Sequence, residues 1–258
     1  MISLQNITVT FNSGTSNLHR VLDGLNLEVK AGEFVTVIGS NGAGKSTLLN
    51  VISGKQIPNR GKVIMANRDV TTWKIPRRAK FVARVFQNPS AGYCAQLTVE
   101  ENLALAQRRG RSLGLRFALT NNIRLRLRTA LADLGLGLEN RLQARMGLLS
   151  GGQRQAISLL MATLSSQQIL LLDEHTAALD PQTAKDVLSL TERLVQSRSL
   201  TTLMVTHSLK QALSFGDRTV MLHQGRIIFD VAGVARTHLK VDDLLKQFEL
   251  VPRSGIEK

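Results

Sequence analysis

Gly39-Ser40-Asn41-Gly42-Ala43-Gly44-Lys45-Ser46-Thr47 is the stretch whose reading decides the fold. It fits G-x-x-x-x-G-K-[ST], the spacing of a loop that holds phosphate. The unbroken apolar segment Phe34–Ile38 before it predicts a buried strand. Thr47 to Gly54 predicts a helix closed by a glycine. Strand, glycine loop and helix form the context that the motif requires. Without a Cβ in the way, backbone N–H groups can curl around phosphate oxygens. The helix N-terminus adds free donors and partial positive charge. In this arrangement Lys45 reaches the β- and γ-phosphates, and the Ser46 hydroxyl binds Mg²⁺.

Outward from the loop, the chain starts with β structure. Residues 2–11 alternate apolar and polar, and Leu25, Leu27 and Val29 alternate as a second strand turning at Ala31-Gly32. Lys62–Met65 and Phe81–Phe86 read as further strands. Thr98-Val99-Glu100-Glu101 is a capping box that opens a mostly helical block reaching about Leu164. The block looks like an insertion between two α/β portions. Gln168–Leu172 is an apolar strand closed by Asp173-Glu174, and Asp180-Pro181 is an N-cap with proline at the first helical position. That helix runs to about Ser197. Thr201–Val205 is a strand followed by Thr206-His207. A hairpin crosses Gly225, and a short helix lies near Val241–Phe248.

With 258 residues, 43% of them apolar, the chain suits one large α/β domain or a core with a small subdomain. No apolar run nears the roughly 18 residues that cross a bilayer, and the start carries no signal-peptide pattern. One cysteine, Cys94, excludes an intrachain disulfide framework and suits a reducing cytoplasm. The five histidines show no metal-ligand spacing. The charge is formally +14, from 33 Lys+Arg against 19 Asp+Glu. The excess crowds two stretches: Lys74, Arg77, Arg78, Lys80 and Arg84; and Arg108, Arg109, Arg111, Arg116, Arg124, Arg126 and Arg128. Nucleic acid, an anionic membrane face or an acidic partner would each suit them, as would a plain solvated face.

Two more stretches carry chemistry. Asp173 and Glu174 end an apolar strand, where carboxylates need a cation or proton donors. Beside a phosphate loop Asp173 can hold Mg²⁺ and Glu174 can polarise a water, although Asp-Glu also begins ordinary turns. Leu149-Ser150-Gly151-Gly152-Gln153-Arg154-Gln155 opens a helix with a serine and two glycines, which is an anion site or an ordinary N-cap.

In this order the motifs resemble those of the ATP-binding cassette (ABC) ATPases, across essentially the whole chain. Gln87 is similar to the family's Q-loop glutamine, which contacts Mg²⁺ and senses the membrane partner. Ser150-Gly151-Gly152-Gln153 resembles the signature, and Asp173-Glu174 the Walker B pair. Ala178-Leu179-Asp180 resembles the D-loop, and His207 the switch histidine that contacts the γ-phosphate. Phe11 resembles the aromatic that stacks on adenine, with core packing as its rival role. The resemblance implies an α/β RecA-like core, an antiparallel β subdomain, and a helical subdomain at about 88–165, all within one cassette of residues 1–258. It implies ATP and Mg²⁺ as ligands. It also implies a head-to-tail homodimer, with each ATP between one copy's phosphate loop and the other's Ser150.

After Glu174 the commonest cassettes have proline, where this chain has His175. That wording, with Glu101-Asn102-Leu103-Ala104-Leu105-Ala106 and the arginines after it, resembles a bacterial importer subgroup, some of it assigned to tryptophan or tyrosine. Such a subunit would sit on the cytoplasmic face of the inner membrane against a separate permease, served by an extracytoplasmic substrate-binding protein. An export or lipoprotein-release cassette is a near alternative. A cassette protein acting on nucleic acid or ribosomes is a more distant one, because it usually carries two cassettes or a long coiled coil. Transported substrate is not legible in such a chain.

Overall fold

The computed structural model describes residues 1–12, 18–109 and 119–249. Strands β1 (Ile2–Phe11), β2 (His19–Val29) and β3 (Phe34–Gly39) lead into the phosphate loop and helix α1 (Lys45–Ser53). Next come β4 (Arg60–Met65), β5 (Arg68–Asp69), the single turn α2 (Ile75–Arg78) and β6 (Val82–Val85). Helices α3 (Val99–Gln107), α4 (Asn121–Ala132) and α5 (Gly151–Thr163) follow. The chain closes with β7 (Ile169–Asp173), α6 (Pro181–Ser197), β8 (Thr201–Val205), α7 (Leu209–Ser214), β9 (Arg218–His223), β10 (Arg226–Ala232), α8 (Gly233–Thr237) and α9 (Val241–Glu249).

Two sheets organise these elements. One is antiparallel, in the order β2-β1-β4-β5. The other runs β10-β9-β3-β8-β7-β6, parallel from β9 to β6, with β10 antiparallel at the edge. The fold is therefore the expected mixed α/β arrangement. In the larger sheet β3 lies between β8 and β9, so the phosphate loop leaves from its middle.

Alternation along those strands separates two cores. Ala83, Val85, Leu170, Leu172 and Met204 face a cluster built with residues of α3 to α6, including Leu103, Leu127, Ile157 and Leu188. Val82, Ile169, Leu171, Leu203 and Val205 face the other way, onto Leu48, Val51 and Ile52 of α1 and the inner face of the antiparallel sheet. At about 25 cal/mol per Å² of apolar surface, this two-sided burial is what holds the strands as continuous apolar runs.

The helical block is less regular than its sequence suggests. Residues 133–150 are turns with two short 3₁₀ segments, Leu138–Asn140 and Met146–Leu148. The predicted capping box is present: the Thr98 hydroxyl accepts the Glu101 N–H at 3.3 Å and the Glu101 carboxylate accepts the Thr98 N–H at 2.7 Å. Asn102, buried in α3, bonds the Cys94, Leu97 and Thr98 carbonyls and accepts the Cys94 N–H, which pins the loop that enters the helix.

The basic stretches are not uniform solvated faces. Arg78 is fully buried. Its guanidinium donates to the carbonyls of Val51, Ile52, Val70, Thr71 and Trp73. Two of these end α1, where the helix dipole favours a cation. Burial pulls the Arg78 guanidinium down to about 10, still well above neutral pH. Arg77 lies over the Trp73 ring at 3.8 Å. Arg124 pairs with the nearly buried Glu100 through two hydrogen bonds of 3.0 and 3.3 Å. Arg111 and Arg116 lie outside the described residues.

Candidate functional site

The phosphate loop bends at Gly42 and Gly44, with φ of +80° and +102°. A Cβ on Gly44 would come within 2.8 Å of both the Val21 carbonyl and the Leu22 side chain, so β2 packs against bare backbone here. Lys45 follows as the first residue of α1. Its ammonium folds across the loop and donates to the Gly39 and Ser40 carbonyls at 2.7 and 2.9 Å. Desolvation lowers the ammonium's pKa, and the charges of Glu174 and Asp173 oppose that shift. A cavity of about 270 Å³ lies over the loop, lined by residues 41–47, His19, Val21 and Glu174.

Glu174 is brought to the loop by an unusual backbone. Directly after β7 it takes a left-handed φ of +43°, a conformation that few residues other than glycine adopt. Its N–H stays on the Val205 carbonyl at 3.0 Å, so the twist redirects the side chain without opening the sheet. Oε2 of Glu174 then accepts from Gln87 Nε2 at 3.2 Å and lies 3.5 Å from His207 Nδ1. Gln87 follows β6 and His207 follows β8, so three parallel strand ends deliver these side chains to one point. His207 is aimed by its neighbours. The Thr206 N–H continues the pairing to Val37, and the Thr206 hydroxyl accepts the Ser208 N–H at 3.1 Å.

Asp173 has a partner that its sequence position did not suggest. Arg84 donates to its Oδ2 at 2.6 Å and to Asn50 Oδ1 of α1 at 2.7 Å. The sequence reading placed Arg84 in a basic stretch; the structure seats it beside the Asp173 carboxylate.

Ser150 and Gln153 cap α5 as a complete capping box. Ser150 Oγ accepts the Gln153 N–H at 3.3 Å and Gln153 Oε1 accepts the Ser150 N–H at 3.1 Å. Gly152 packs so closely on α6 that a Cβ would meet the Thr183 methyl at 2.3 Å. Gly151 lies beside Leu179. Ser150 to Gln153 do not line the phosphate-loop cavity of their own chain; Ser150, Gly152 and Gln153 line a separate one of about 350 Å³ with α6. Asp180 caps α6, its carboxylate accepting the Thr183 N–H at 3.0 Å; the Thr183 side chain first, and its N–H second, hold that carboxyl below its ordinary range. Phe11 is 40% exposed and does not line the phosphate-loop cavity. Its cross-strand partner His19 does, and nothing in the sequence reading singled out His19.

His175 has no part in this chemistry. It is 3% exposed and its Nε2 lies 3.1 Å from the Thr191 hydroxyl, which itself donates to the Val187 carbonyl. Thr191 therefore accepts, and the proton sits on Nε2. Burial pulls the imidazole down to about 4. Between about pH 6.5 and 4 the unfolded chain takes up a proton that the folded chain refuses. This part of the stability is complete above pH 6.5 and is lost as pH falls through that window, about 3 kcal/mol in all. Urea unfolding at a series of pH values is expected to show a shallower acid decline in His175→Gln, which keeps a donor but does not titrate. Parallel declines in the two proteins would remove His175 from the account.

Comparison with known proteins agrees with this geometry. A family profile described as ABC transporter matches residues 22–177. The chain is 43% identical over 252 residues to a "Tyrosine transport ATP-binding protein" of Clostridioides difficile, covering 96% of this chain and 99% of the relative. It is 37% identical to a "Thiamine import ATP-binding protein" of Yersinia pseudotuberculosis, covering 89% of each. Among solved structures, the dimeric post-hydrolysis state of the cassette MJ0796 bound to ADP and Pi superimposes with a TM-score of 0.77 at 29% identity, covering 90% of this chain and 98% of that one. The chain thus belongs to the ABC transporter family and is one of its ATP-hydrolysing cassettes.

Proposed function

We propose that this cassette powers uptake of a small solute of the amino-acid class through a separate membrane permease. The observation that carries the reading is the near end-to-end match to a tyrosine-transport cassette. A substrate-binding protein outside the membrane and a place on the cytoplasmic face of the inner membrane belong to the same reading. Among the described residues no helix is long and apolar enough to cross a membrane, which suits a peripheral subunit.

In the proposed mechanism the loop N–H groups of residues 39–47 and the Lys45 ammonium hold the β- and γ-phosphates. The ammonium exchanges its two loop carbonyls for phosphate oxygens, so it arrives already desolvated. Ser46, Gln87 and Asp173 offer one hydroxyl, one amide and one carboxylate, a donor set that suits Mg²⁺, which binds through one or two carboxylates and the phosphates. Mg²⁺ there would neutralise charge developing on the phosphates. Glu174 polarises the attacking water, and Gln87 and His207 hold its carboxylate in place. The exposed edge of His207 is free to reach the γ-phosphate. Phe11, across the strand from His19, offers a ring to the adenine. Two copies would pair head to tail, so that Ser150, Gly151, Gly152 and Gln153 of one face the phosphates held by the other, with Asp180 bordering that contact. The separation of signature and phosphate loop within one chain supports this reading.

The test uses a strain lacking the gene and labelled tyrosine. Wild-type protein is expected to restore uptake, and Lys45→Ala to restore none, because it removes the cation that the loop offers to the phosphates. Undiminished tyrosine uptake in the deleted strain would overturn the amino-acid reading. Wild-type phosphate release by purified Lys45→Ala would overturn the assignment of the loop.

A further inference from the structure

Arg84 lies at the site beside Asp173 and has no part in the proposed hydrolysis. Its side chain is 10% exposed and that of Asp173 is 13% exposed. One guanidinium nitrogen holds Asp173 Oδ2 and another holds Asn50 Oδ1, so the group bridges β6, β7 and the helix that begins with Lys45. The guanidinium also lies 5.0 Å from the Phe86 ring, directly before Gln87. It is a preformed cation with its position set from three sides.

We propose that Arg84 is a resident counter-cation at the metal side of the site, and that it sets how strongly nucleotide binding depends on Mg²⁺. The inference rests on the reading of Asp173 as a metal-side ligand. Asp173 and Glu174 are consecutive carboxylates, and phosphates arriving next to them add more negative charge. Lys45 meets the phosphates from the loop side. On the Asp173 side the cation in contact is Arg84. With no divalent ion, Arg84 keeps the nucleotide from facing a bare carboxylate. With the ion present, the two cations share Asp173 and each weakens the other's hold. Removing Arg84 is therefore expected to leave nucleotide binding more dependent on the ion. Arg84 acts through Asp173 and is a positioning residue.

The experiment measures binding of a fluorescent N-methylanthraniloyl ADP to purified full-length protein, in EDTA and in saturating Mg²⁺. Arg84→Met is expected to weaken binding in EDTA roughly tenfold, the scale of one nearby charge lost at a mostly buried site, and to leave binding in Mg²⁺ within about twofold. Arg84→Lys keeps the charge and should restore most of the EDTA affinity. In an Asp173→Asn background the methionine substitution should no longer change the ratio of the two affinities. A loss of purely structural packing would lower both affinities together, and lysine would not rescue it. An unchanged ratio in Arg84→Met, or an undiminished effect in the Asp173→Asn background, would overturn the inference. If the methionine variant fails to fold, as judged by circular dichroism, Arg84→Gln carries the same expectation. Wild-type protein that binds no probe in either buffer would overturn the reading of the site itself, and normal wild-type binding with an unchanged ratio in the variant overturns the inference alone.

Discussion

Glu174→Gln is expected to slow phosphate release by about 10²–10⁴-fold, equivalent to about 3–5 kcal/mol of barrier, while nucleotide still binds. Glutamine keeps the shape of the side chain and its contact with Gln87, but it cannot take a proton from water. The groups that hold the phosphates, Lys45 and the loop backbone, are untouched. A second consequence follows if ATP is bound between two copies. Ligand held at an interface stabilises the assembly, and hydrolysis discharges it. The variant should therefore accumulate an ATP-dependent dimer on size-exclusion chromatography. Mixing in Ser150→Arg, which places bulk and charge at the head of α5, should prevent it. Turnover within tenfold of wild type would remove Glu174 from the role of base, and an ATP-independent monomer would argue against the paired arrangement.

Arg78→Met should give the largest loss of stability of any single substitution considered. It strands the carbonyls of Ile52, Thr71 and Trp73 and strips a second donor from those of Val51 and Val70, which keep the N–H groups of Gly54 and Trp73. Each buried carbonyl left without a donor costs about 1–3 kcal/mol. Even after partial relaxation the total is expected to exceed about 4 kcal/mol, in the range that singles out a lost buried network. Lysine should recover only part of this, because a compact ammonium with three donors cannot span the same fork. Urea unfolding followed by circular dichroism measures it. A cost under about 1 kcal/mol for methionine would mean that water replaces the guanidinium.

Where chemistry depends on local sequence, the chain is easily read. The phosphate loop, the Thr98 capping box and the long apolar strands each announce themselves through spacing or a run. Short elements do not. β5 spans two residues and α2 one turn, too little for any period to register, and α7 and α8 are of the same kind. Burial of charge was the least legible property. Arg78 and Arg84 stand among Lys74, Arg77 and Lys80 in a stretch that composition describes only as basic. What separates them is which way α2 and β6 face, and that depends on residues far along the chain. His19 was missed for a similar reason. It reaches the cavity through pairing with Phe11, and the intervening Asn12-Ser13-Gly14-Thr15-Ser16-Asn17 marks a loop by composition without fixing which residues pair across it.

The left-handed backbone at Glu174 has a bearing on how this cassette responds to selection. A non-glycine residue held there costs on the order of 1 kcal/mol, a standing debt against stability. Glycine or asparagine at 174 would relieve that strain and remove the carboxylate at once. Variants chosen for heat resistance alone would therefore drift toward an inert protein at this position, since stability and turnover pull in opposite directions. Melting temperature is for this reason a misleading proxy for fitness here, and a library of variants needs to be ranked on hydrolysis first.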